Sequence, residues 1–166
     1  LITMHANIFS PAYLMANLIG LLILIAAVVK PNIARIFLIT IFIGAAFFNG
    51  AIALREPGLF MAYGDMAVFP VYEQFIYGAF EDNITAFVLS IAGCQLITGM
   101  LIAARGRLLK TGLAAAIMFL VAIAPLGAGA AFPCTLLLAA ACIILLFKAN
   151  YLSSHPFFYS LHHLLN

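Results

Sequence analysis

The chain has 166 residues, of which 67% are hydrophobic and 7% charged, with a formal net charge of +2. Soluble domains carry roughly 45–50% apolar and about 25% charged residues, so this composition excludes a domain whose exterior faces water. It calls instead for an all-α, polytopic transmembrane helix bundle solvated by the lipid bilayer, with spans of about 20 apolar residues, and the small net charge gives no reason to expect a nucleic-acid partner.

Residues 1–10 carry His5 and lack the basic flank of a signal peptide. Ser10 caps and Pro11 opens a first span over residues 12–29, which holds no charge. Lys30-Pro31-Asn32 ends it, because Pro31 disfavours helical geometry at Lys30. Arg35 opens a second span over 36–54, and Gly44, Ala45, Ala46 and Gly50 give it a small-residue patch suited to close helix approach.

The segment 55–82 follows, and it contains every acidic residue: Glu56, Asp65, Glu73, Glu81 and Asp82. Pro57 and Pro70 each start a short interfacial helix, over 57–68 and 70–80. In the second, Val71, Phe75, Ile76 and Ala79 recur at helical spacing, which suits either a helix on the membrane surface or a cap on the other helices. Tyr63, Tyr72 and Tyr77 suit the headgroup belt.

Residues 83–104 form a third span with Gln95 and Thr98, closed by the basic turn of Arg105, Arg107 and Lys110. The uncharged run 111–147 has 37 residues and would stretch about 55 Å as one helix, nearly twice the hydrocarbon thickness. Pro125, Gly127, Gly129 and Pro133 break it into a hairpin of spans over 111–124 and 132–147. Residues 1–150 thus form one helix-bundle domain, and 151–166, with His155, His162 and His163, an amphipathic or flexible tail.

Five spans put Lys30, Arg35, Arg105, Arg107, Lys110 and Lys148 on one side, which the positive-inside rule makes cytoplasmic. The N-terminus and the 55–82 segment are then extracytoplasmic and the C-terminus cytoplasmic. Only Arg55 violates the pattern, and pairing with Glu56 or Asp65 would accommodate it.

No predicted span holds an acid, base or histidine in its interior, so neither haem ligation, a metal site nor ion-coupled transport is expected. Cys94, Cys134 and Cys142 read as buried packing residues. The amides Asn17, Asn49 and Gln95 are costly to expose to lipid. With Arg55, Asp65 and Glu73 above them they would line an outward-facing pocket for a quinone headgroup, a lipid headgroup or a small solute. The plain alternative is hydrogen bonding between helices, worth about 0.6 kcal/mol on average.

Residues 34–127 resemble the DoxX-like group of small bacterial membrane proteins. The resemblance lies in RIFLITIFIGAAFFNGAIAL, in YGDMAVFPVYEQFI, in FVLSIAGCQLITGMLIAARGR and in KTGLAAAIMFLVAIAPLG. It implies the bacterial inner membrane and, for some members, quinone-coupled oxidation or oxidoreductase assemblies. That family is usually four-spanned, so a fifth span is a departure, and the resemblance brings no catalytic residue with it. The leading expectation is a non-catalytic accessory subunit of a larger membrane complex, with a small-residue patch at 44–50 or 112–116 meeting a helix of another polypeptide. A quinone-interacting redox subunit is the alternative, and a carrier for a neutral or lipid-like solute is the third reading.

Overall fold

The computed structural model describes residues 10–154, and among these there is no strand. The long helices are α1 (Pro11–Val29), α2 (Pro31–Arg55), α5 (Ile84–Ala103), α6 (Arg107–Ile123) and α7 (Cys134–Phe147); α3 (Ala62–Met66), α4 (Pro70–Phe75) and α8 (Ala149–Ser154) are short. Pro11 and Pro31 sit in the first turns of α1 and α2, where the missing N–H costs nothing, and the Ser10 hydroxyl accepts from the Tyr13 N–H as a cap.

Four stretches are long and apolar enough to cross a membrane: Pro11–Val29, Pro31–Arg55, Pro70–Ala103 and Arg107–Ala130. The fifth helix, α7, has 14 residues and rises only about 21 Å. It is lengthened by α8, because the Lys148 N–H still bonds the Ile144 carbonyl and the Leu152 N–H bonds that of Lys148. α8 thus continues from the charged end of α7, and the apolar part of this fifth helix is Cys134–Phe147. The helix runs on to Ser154, with Ala149 and Leu152 in it fully buried. The tail histidines, like His5, lie outside the described residues.

The five long helices close into a ring in the order α1, α2, α5, α6, α7 and back to α1. The Tyr13 hydroxyl of α1 donates to the Phe132 carbonyl just before α7, while Lys148 after α7 donates to the Ala27 and Val28 carbonyls of α1. α1 and α7 therefore run parallel, and the chain reverses between α6 and α7. The reversal is a 3-10 turn, Ala124–Ala130, broken at Gly127 (φ 63°, ψ −134°) and followed by Ala131 in the left-handed region. One end of the ring gathers Lys30, Arg35, Arg105, Arg107, Lys110 and Lys148, and the other carries the 56–83 segment and the 124–133 turn.

The basic end is held by an interaction that the sequence does not announce. α2 begins at Pro31, so Arg35 lies inside the helix and is 1% exposed. Its Nε donates to the Ile102 carbonyl at 2.9 Å, Nη2 to those of Ala103 and Ala104 at 2.9 and 2.5 Å, and Nη1 to that of Leu152 at 3.3 Å. The last carbonyls of a helix lack partners within it and carry the negative end of its dipole. Arg35 satisfies three of them at the end of α5 and ties α8 to the same point.

Most of the small residues in the two patches pack within the chain, the 112–116 patch above all. Ala116 is fully buried, and a Cβ added at Gly112 would lie 2.7 Å from the Ile102 amide nitrogen of α5. Ala46 is 6% exposed, and Gly50 approaches Ala92 of α5. Small residues let α2, α5 and α6 pack backbone to backbone, and Gly44 alone of the patch faces open space. The outward face of α1, with Leu14, Leu18, Leu22, Ile25 and Val29, is apolar and exposed, as lipid contact requires.

Candidate functional site

At the acidic end the 56–83 segment folds down as a cap. A 3-10 turn (Pro57–Met61) leads into α3, and α4 leads into a π-helical turn (Ile76–Phe80) interrupted at Gly78 (φ −122°, ψ −114°). That break turns Ile76 and Phe80 inward onto Ala53, Phe60 and Val88, where they form a small core separate from that of the ring. Of the two readings of 70–80, a surface helix or a cap on the other helices, the segment takes the second, bent at Gly78. The Val68 N–H donates to the Pro125 carbonyl at 2.8 Å, which joins the cap to the α6–α7 turn. Gly127 permits that join, since a Cβ there would stand 2.6 Å from the Met66 carbonyl oxygen. The Tyr77 hydroxyl donates to Asp65 Oδ1 at 2.5 Å and links the two halves of the cap.

Beneath the cap lies a cavity of about 290 Å³ between α2, α5 and α6. Its aromatic walls are Phe60, Tyr63, Tyr72, Phe75, Phe80, Phe87 and Phe119, with Ile76, Val88, Ile91, Ala122, Ile123, Leu126 and Ala130 filling the gaps. Phe75 meets Phe87 edge to face, with centroids 5.5 Å apart at 83°, and Phe80 lies 5.7 Å from Phe87. Such offset and T-shaped pairs are the favoured aromatic arrangements. The Tyr72 hydroxyl donates to the Ala122 carbonyl at 2.8 Å, fastening α4 to α6 at the cavity wall. Burial pushes the Tyr63 phenol above its usual value and keeps it neutral.

The cavity has one amide pair. Asn49 of α2 donates through Nδ2 to Gln95 Oε1 of α5 at 3.0 Å. Gln95 is 6% exposed and lines the cavity with Asn49. Among the described residues neither Gln95 Nε2 nor Asn49 Oδ1 has a protein partner, and neither is sealed from the cavity. Whichever way the two amides are turned, one donor and one acceptor remain for a ligand.

Of the residues expected to line a pocket, Asn49 and Gln95 are brought together and the other four are not. Asn17 sits on α1, next to α2 and α7, with its Nδ2 donating to the Tyr13 carbonyl and its Oδ1 buried without a partner. Arg55 is exposed at the end of α2, and among the described residues no ion pair joins it to Glu56 or Asp65. Asp65 is engaged with Tyr77, and Glu73 is exposed on α4. Cys94 is exposed, in contrast to the expected packing role, whereas Cys134 and Cys142 are buried.

The aromatic lining is the part that sequence reasoning missed. Tyr63 and Tyr72 were expected at the headgroups and instead face the cavity. A signal was present in Phe87, Val88, Ile91 and Gln95, which share one face of α5, and in Phe119, Ala122 and Ile123 on α6. No Asp, Glu, His, Lys or Arg lines the cavity, and among the described residues no three His, Cys, Asp or Glu side chains cluster as metal ligands do. The chemistry on offer is apolar contact, ring stacking and hydrogen bonds from the amide pair and the Tyr63 hydroxyl. Comparison with protein-family models, curated proteins and solved structures finds no match to this chain.

Proposed function

We propose that this chain is a membrane-embedded binding subunit for a lipid-soluble ring compound of the quinone class, taken up in the cavity beneath the cap. The observation that carries the reading is an amide pair set among seven aromatic side chains in a pocket free of charge. Ligand sites of this kind are concave, mostly apolar and furnished with a few convergent polar groups. The volume lies near the small end of that class, which suits a ring headgroup whose tail stays in lipid. The DoxX-like resemblance points the same way. The chain acts without catalytic groups of its own, as a subunit that holds the ligand for an oxidoreductase partner.

The orientation follows the positive-inside rule: the basic end lies in the cytoplasm of a bacterial cell and the cap on the outer face of the inner membrane. A partner surface is favoured at Gly44, where Phe47 and Phe48 are also exposed and a small residue leaves room for another helix.

Equilibrium binding of a short-tailed benzoquinone to the purified chain in nanodiscs tests the reading. Saturable binding that weakens at least tenfold in Phe87→Ala is expected. Partition identical to that of empty nanodiscs would remove the proposal.

A further inference from the structure

We infer that the cavity selects the hydroxyl form of its ring ligand over the carbonyl form, and that the Asn49–Gln95 amide pair makes the distinction. The inference rests on the quinone-class reading above and goes beyond it by naming the redox form that is held. The two amides satisfy each other once, through Asn49 Nδ2 and Gln95 Oε1. What is left facing the cavity is a donor, Gln95 Nε2, and an acceptor, Asn49 Oδ1.

A ring carbonyl only accepts hydrogen bonds, whereas a phenolic hydroxyl accepts and donates. A quinone oxygen placed at the pair takes the Gln95 N–H and leaves Asn49 Oδ1 facing an apolar ring. With the ligand seated, water no longer reaches that oxygen, and an unpaired buried acceptor carries its full desolvation penalty. A quinol oxygen takes the same Gln95 N–H and donates its proton to Asn49 Oδ1, so both groups are met. The Tyr63 hydroxyl also lines the space, and because it both donates and accepts it serves either redox form and does not distinguish them. The Tyr72 hydroxyl is committed to the Ala122 carbonyl, and no charged side chain reaches the space. The penalty for one orphaned acceptor corresponds to a preference of roughly tenfold.

The test measures binding of a short-tailed benzoquinol, kept reduced under argon, against its quinone and its mono-O-methyl ether, with the full chain in nanodiscs. The quinol is expected to bind about tenfold tighter than the quinone. Removing both amides together, Asn49→Leu with Gln95→Leu, should erase the difference between quinol and quinone, because neither the donor nor any orphaned acceptor then faces the ring. The methyl ethers give an answer that does not depend on a folded variant: the mono-ether keeps one hydroxyl to turn toward the pair and should bind nearly as well as the quinol. A dimethyl ether, which cannot donate at either end, should bind no tighter than the quinone. Equal affinity for quinol, quinone and dimethyl ether would overturn this inference while leaving the quinone-class site in place. Failure of all of them to bind would instead overturn the site.

Discussion

Arg35 and Lys148 are cations that cap helices to which they do not belong. Arg35, on α2, closes the end of α5, and Lys148, after α7, closes the end of α1 through the Ala27 and Val28 carbonyls. In lipid an unsatisfied carbonyl has no water to turn to, so each such bond matters more than it would on a soluble surface. Arg35→Met should leave a set of buried carbonyls without donors and cost about 3 kcal/mol or more. The measurement is the midpoint of thermal unfolding in detergent, and a midpoint within a degree of the native chain would show the capping to be dispensable. Arg35→Lys should recover only part of the loss, because an ammonium lacks the planar fork that reaches several carbonyls at once.

Among the elements, the cap depends on one turn. Gly127 combines a positive φ of 63° with a backbone approach that leaves no room for a Cβ beside Met66. Gly127→Ala should therefore cost roughly 1–3 kcal/mol from its positive-φ conformation alone, with displacement of the cap as the visible consequence. Limited proteolysis between residues 56 and 83 should accelerate in this variant while the helices of the ring stay resistant. Unchanged cleavage would mean that the Val68–Pro125 bond does not hold the cap. The α5–α6 contact gives a second case: Ala116→Leu should destabilise the isolated chain by overpacking, at about 1–3 kcal/mol, because Ala116 is fully buried against its own bundle. Release of a partner from an otherwise intact chain would contradict that assignment.

For the assembled bundle, the distribution of charge makes a prediction about orientation. Cysteines introduced at positions 65 and 107, in a Cys94→Ser background, should label from opposite sides of the membrane. Position 65 is expected to react with an impermeant reagent from outside and position 107 only after permeabilisation. Labelling of both from one side would break the alternation of five crossings.

The arrangement of elements was legible along the chain because each signal is local. A run free of charge, a proline at a helix start and a Pro/Gly break inside 37 apolar residues act within a turn or two of where they stand. The meeting of Asn49 and Gln95 was partly legible for the same reason, since amides in an apolar span must find a partner. Arg35 was not: its role is set by carbonyls about 67 residues away, which only the closing of the ring brings to it. The aromatic cavity was not legible either. Tyr63, Tyr72 and Phe75 lie in a cap whose pattern suits a membrane surface equally well, and the bend at Gly78 with the tie to Pro125 turns them inward. In a chain this apolar, hydrophobicity no longer separates inside from outside. Lipid and core accept the same side chains, so contact between distant segments decides which aromatics line the cavity and which face the bilayer.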